Sequence, residues 1–450
     1  MNCSSIFLAA ALTLGAFRAW AVEIENQPQR GLFLPSLQTH SPAMNQKDGE
    51  KLTAAVDLQS TNPKPDRFLG KSLPVSSDVA VSNTLTPAGQ RIVLARAALD
   101  KNPQRADAYA QLAMALAQRA RETSDTAYYA QAESALAQSF GLAPGNLEAR
   151  RVQIWVMLGR HEFSEALKAA QALNKQVPDD VQTYAYLADA NIELGNYSDA
   201  ERAVQWMLDL RPGNIPGLTR AAYLRELYGD IPGSLELMTQ AYQRTPPSEH
   251  EDRAWLLTHM AHLQLLDKQP QRADDLLAQA LLEFPGYHYA IAQLAKVRQS
   301  QGRSAEALAL LRQHVAMAPH AENLFYLGEA LAKQKLKREA SQVFSQFEMA
   351  ARRESGSWDN ANRELIAYYA DYAKRQVDAL KLAEFEMARR QDVHTLDAYA
   401  WALYRNGKFE QAQKVIDRAL AVGVLDLQIH THARLIAVKS GEQRKKSRSL

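Results

Sequence analysis

Apolar positions recur along most of this chain with two periods at once. Within residues 181–193, Tyr184, Leu187, Ala188 and Asn191 stand at i, i+3, i+4 and i+7, which is one face of a helix. After Gly195, Tyr197 opens a second amphipathic stretch whose inner stripe is Ala200, Val204, Met207 and Leu208. Pro212 ends it, because proline lacks an amide hydrogen and its ring clashes with the preceding turn. The next 34 residues repeat the arrangement without a gap: Gly195 aligns with Gly229, Tyr197 with Ile231, Ala200 with Ser234, and Pro212 with Pro246. Counting backwards by the same period reaches Pro178 and Pro144, with Phe163 and Tyr129 in the aromatic column and Ala166 and Ala132 in the small-residue column. Past Pro246 the register slips by five residues and resumes, since Pro285 and Pro319 are again 34 apart, as are Ala273 and Ala307. A fixed period of this length marks a repeat array, in which no unit can bury both its faces alone and stability comes from stacking.

The pattern predicts an all-α chain of nine helical hairpins. A helix opening at Pro87 and running toward Asn102 and Pro103 caps one end. The first full pair has its leading helix over 106–121 and a partner carrying Tyr129, Ala132, Ala135 and Leu136, with a connecting turn several residues longer than usual. Further pairs begin at Leu147, Val181, Ile215, about Ala254, His288, Ala321, about Asn360, and His394. The pair over 360–391 lacks both the glycine turn and the closing proline, whereas the last is regular again, with Gly407, Phe409, Ala412 and Ala419 in register. A closing helix is expected over about 427–439. These elements divide the chain into a secretory signal (1–21), a flexible leader rich in Pro, Gln and Ser (22–86), the helical solenoid (87–440) and a basic, disordered tail (441–450).

The combination of period, glycine turn, aromatic, alanine and proline columns resembles the tetratricopeptide repeat (TPR). That resemblance implies a right-handed superhelical solenoid whose concave face, lined by the leading helices, binds a peptide or protein segment. Carried over residue by residue, the groove positions are Arg150 and Gln153; Tyr186, Asp189 and Glu193; Arg220, Tyr223 and Glu226; His259 and His262; Gln293 and Lys296; and Tyr326 and Glu329. Their mixture of aromatics with both signs of charge suits a segment of mixed side chains. One well-known use of the fold grips a C-terminal carboxylate with Lys and Asn. Here the corresponding pairs are Ala185 and Asp189, Thr219 and Tyr223, and Thr258 and His262, so that clamp is not reproduced.

Composition narrows the function further. With 46% hydrophobic and 23% charged residues the chain is ordinary for a soluble protein. The apolar run from Ile6 to Phe17, followed by Ala19-Trp20-Ala21, reads as an export signal cleaved before Val22, although no Lys or Arg precedes it; the run is short for an uncleaved anchor. Cys3 is the only cysteine and falls inside that signal, so the mature chain has no disulfide, thiolate metal site or cysteine nucleophile. The leader is either a spacer or carries a short docking motif. A net charge of +2 with interspersed signs argues against nucleic acid, and the cluster of Arg444, Lys445, Lys446 and Arg448 reads as a solvated end. His259 with His262, and His430 with His432, lack an obvious third ligand, so they read as structural or groove-lining. Gly70-Lys71-Ser72 has Pro65 where a phosphate loop needs glycine, and HEFSE from His161 is not a zinc-protease motif. No catalytic residue, metal or cofactor is expected. The function expected is an exported protein-interaction scaffold of the cell envelope, without a membrane span in the mature chain. The alternative is a structural or oligomerising component of an envelope assembly or transport system. A continuous polar and aromatic groove favours the first, and an exposed apolar end helix the second.

Overall fold

Four of the nine leading helices begin where a short polar side chain satisfies the free amides of a first turn. Asn146 accepts from Ala149 N, Asp180 from Thr183 N, Asn214 from Gly217 N, and Asp392 from His394 N and Thr395 N. The computed structural model describes residues 86–448 apart from position 358, with backbone alone for 443–448. The expected signal segment and all of the leader before Thr86 lie outside the described residues.

Twenty α-helices and no strand are present among the described residues. A first helix, α1 (Pro87–Lys101), is followed by nine antiparallel hairpins. These are α2 (Ala106–Thr123) with α3 (Ala127–Leu142), α4 (Leu147–Gly159) with α5 (Phe163–Gln176), and α6 (Val181–Glu193) with α7 (Tyr197–Leu210). The middle three are α8 (Ile215–Leu227) with α9 (Ile231–Arg244), α10 (His250–Leu266) with α11 (Pro270–Glu283), and α12 (His288–Ser300) with α13 (Ser304–Met317). The last three are α14 (Ala321–Lys333) with α15 (Lys337–Glu354), α16 (Asn362–Asp371) with α17 (Gln376–Met387), and α18 (Val393–Arg405) with α19 (Phe409–Leu420). The closing helix α20 spans Leu427–Arg448, beyond the expected end at Lys439 and through most of the basic tail, since no proline follows to stop it.

The small-residue column explains how the hairpins close. Ala132, Ala166, Ala200, Ser234, Ala273, Ala307, Ala340, Ala379 and Ala412, one in each trailing helix, are all buried, so backbones cross closely there. Departures from the 34-residue period are absorbed by helix length. The turn after α2 is no longer than those after α4 and α6; instead α2 has 18 residues where α4, α6 and α8 have 13. The five-residue slip likewise lengthens α10 to 17 residues.

The array curves far enough to meet itself. Repeat 2 touches repeat 8, where His161 faces Asp359 at 3.5 Å. Repeat 3 touches repeat 9: Gln391 N donates to Glu193 O (3.2 Å), Val393 N donates to the Tyr197 hydroxyl (3.0 Å), and Gly195 lies so near that a Cβ there would stand 2.7 Å from Gln391 O. Repeat 4 meets the approach to α20, with Gly229 held equally close to Gly423 O. At the other end, Arg121 pairs with Glu251 and with Asp252 (2.6 Å), while His288 and His320 reach the carbonyls of Arg121 and Ser124. These contacts form a seam that encloses the concave face.

A lumen lined by the leading helices

What the leading helices leave between them is a cavity of about 710 Å3, within the range of about 300–1,000 Å3 common for ligand sites. Every leading helix from α8 to α18 contributes: Tyr223 from α8, His262 from α10, Lys296 from α12, Tyr326 from α14, Glu364 from α16 and Trp401 from α18, with His432 of α20 closing one end. Leu425 and Leu427 add an apolar lip beside Leu265 and Leu266.

Of the residues expected in the groove, Tyr223, Glu226, His262, Lys296, Tyr326 and Glu329 line this cavity. Others lie beneath its wall. Asp189 and Arg220, each with a side chain 1% exposed, form a two-pronged ion pair at 2.6 and 2.9 Å. Burial pushes the Asp189 carboxyl up, and Arg220 opposes it. Tyr186, Glu193, His259 and Gln293 are also buried and outside the lining. Arg150 and Gln153 sit apart, in a shallow pocket between α4 and α5, where Arg150 donates to the Gln176 side chain at 2.7 Å.

The lumen's polar groups are held in place by their neighbours. Glu226 accepts from Nε2 of His259 (2.7 Å) and of His262 (3.0 Å). Burial alone would raise this carboxyl, but the two imidazoles outweigh it and keep it ionised, well below the usual carboxylate range. The Tyr326 hydroxyl donates to Glu364 (2.9 Å), that of Tyr372 to Glu329 (2.9 Å), and the Trp401 indole to both oxygens of Asp371 (3.1 and 3.0 Å). His432 lies flat on Trp401, centroids 4.0 Å apart, with Nδ1 2.8 Å from Asp397.

Glu364, Asp371, His394, Asp397 and Trp401 were not among the expected groove residues. One signal for them was present. The ninth residue of α6, α8, α12, α14 and α18 is Asp189, Tyr223, Lys296, Glu329 and Trp401, and the five-residue slip brings His262 into the same column. Continuing that column past Glu329 leads to Trp401. His432, read from the sequence as structural or groove-lining, lines the lumen because α20 closes one end. Among the described residues no group of three or more His, Cys, Asp or Glu side chains could hold a metal, and no helix is long and apolar enough to cross a membrane.

The tetratricopeptide repeat family model matches residues 151–215 and 292–355. No curated protein matches the chain. Among solved structures, the chain is similar to the human IFIT1 dimer with PPP-AAAA at 14% identity, over 76% of this chain and 93% of that one, with a TM-score of 0.44. It is similar to the APC/C hetero-tetramer Cut9-Hcn1 at 15% identity, over 80% and 68%, with a TM-score of 0.49. PilW, a widely conserved type IV pilus biogenesis factor, is 12% identical over 46% and 93%, with a TM-score of 0.39. On the 34-residue period, the nine hairpins with their buried small-residue column, and the family match over 151–215 and 292–355, the chain carries tetratricopeptide-type repeats.

Proposed function

We propose that this array is a protein-interaction scaffold that takes a short polypeptide segment into its lumen. The observation that carries the reading is the continuous polar and aromatic lining contributed by successive leading helices. Stacking and the seam set this wall before a partner arrives, so less ordering entropy is lost on binding. Carboxylates outnumber cations along the wall, which suits a polypeptide better than the phosphates of a nucleic acid. A photo-crosslinking amino acid placed at Tyr326 should capture a polypeptide, whereas one at Leu282, exposed on α11, should not. Capture at Leu282 alone would move the site to the outer face, and capture of nucleic acid would replace the reading.

The export signal places the mature chain in the cell envelope in this reading, and N-terminal sequencing of the secreted form should begin at Val22. A second reading, a structural or oligomerising part of an envelope assembly, is favoured by the apolar side of α20, where Leu427 is 80% and Val438 55% exposed. Light scattering separates the two: a monomer supports the scaffold, and an oligomer that dissociates on Val438→Glu supports the assembly.

A further inference from the structure

We infer that the lumen recognises a cationic side chain, lysine or arginine, on the segment it takes in; this rests on the lumen reading above. Among the described residues, six carboxylates line the cavity against three cations, Lys296, Lys333 and Arg363. Two of those cations already serve carboxylates: Lys333 lies 3.4 Å from Glu329 and Arg363 3.3 Å from Asp392. Glu364 and Asp371, by contrast, are oriented by a phenol and an indole, which are neutral donors. Such donors fix a carboxylate without cancelling its charge. Each carboxylate has about four lone-pair sites, so room remains for the donors of an ammonium or guanidinium. Two cations act on this pair: Arg405, a third exposed, lies 3.5 Å from Asp371, and Arg363 acts on Glu364 as well as on Asp392; the carboxylates of the lining still outnumber its cations.

A separate observation points the same way. His394 lines the cavity, is 7% exposed, and its Nδ1 has no hydrogen-bond partner among the described residues. Burial lowers its basicity, against the pull of Asp426 and Asp392, so the ring stays neutral near pH 7 and a ring nitrogen can accept a hydrogen bond. An unpartnered ring nitrogen in a wall of carboxylates leaves a place for a donor, and the side chains of lysine and arginine carry donors where those of ionised aspartate and glutamate do not. A wall of net negative charge with low-dielectric backing also focuses the field on an entering cation.

The test uses the full mature chain and a phage library of random heptapeptides. Selection should enrich lysine or arginine. A selected synthetic peptide should bind about tenfold or more weakly once its lysines are acetylated or its arginines replaced by citrulline, or when the chain carries Glu364→Gln with Asp371→Asn. Comparing Lys and Arg forms of one peptide separates the two cations. Ala398→Trp, or Ala367→Trp where the first fails to fold, fills the lumen and should abolish binding at an unchanged melting temperature. Peptides that are neutral or acidic, yet lost in the filled variant, would overturn the cationic preference and leave the lumen reading standing. Peptides that still bind the filled variant, or no enrichment at all, would overturn both.

Discussion

Glu193 Oε1 is buried and touches no donor. Its carboxyl is pushed up to about 8, first by burial and then by Asp392, although Arg390 and Arg363 pull it down. A group whose pKa is raised on folding favours the folded state below its unfolded value and loses that contribution as pH rises through the folded value. For Glu193 the window runs from 4.5 to about 8. Glu193→Gln should therefore gain stability over the parent as pH rises, by roughly 2 to 4 kcal/mol at pH 8 and much less near pH 5. Urea midpoints at the two pH values measure it, and equal differences would mean that the carboxyl titrates normally. This strain had no signature in the sequence. Glu193 was expected to face a ligand; it faces the turn before α18 instead, because the seam covers it.

At the scale of the element, most of the fold was legible because its rules are local. The small-residue column, the aromatic entry positions and the capping side chains lie at fixed offsets, and the hairpins follow them. The glycine turn was only half legible. Every hairpin turn holds one residue in the left-handed region, but Ser124, His161, Lys268, Lys335 and Lys374 occupy it in five of the nine. The closure is made by backbone groups: Leu336 N reaches Leu331 O (3.0 Å) as Asn196 N reaches Asn191 O (2.8 Å), so a turn without glycine closes in the same way. A side chain there costs roughly 1 kcal/mol, which stacking outweighs. Lys335→Gly should accordingly stabilise the protein by about 0.5 to 1 kcal/mol, seen as a higher urea midpoint, while Lys335→Ala should change little.

Across the whole molecule the decisive contacts join residues far apart in sequence, and no periodicity announces them. Gly195 and Gly302 have nearly the same backbone angles, φ of 78° and 74°, in equivalent turns. Nothing lies within 4 Å of a Cβ at Gly302, whereas one at Gly195 would press on Gln391 O. Gly302→Ala should thus cost about 1 kcal/mol for conformation alone. Gly195→Ala should cost at least twice that and raise the radius of gyration measured by X-ray scattering, as the seam parts; equal costs and an unchanged radius would mean that the contact carries no load. The lumen owes its closed wall to the same seam, which is why only six of the expected groove residues reach the cavity.

Open repeat arrays melt piecemeal, since each unit answers only to its neighbours. Here Gln391 and Val393 hold Glu193 and Tyr197 across some 200 positions of sequence, and Glu251 and Asp252 hold Arg121. Contacts of such long range raise contact order, slow folding, and bind the first repeats to the fate of the last. Removing the final hairpin would then loosen hairpins far from the cut, and the chain should unfold in fewer, larger steps than its repeat count suggests.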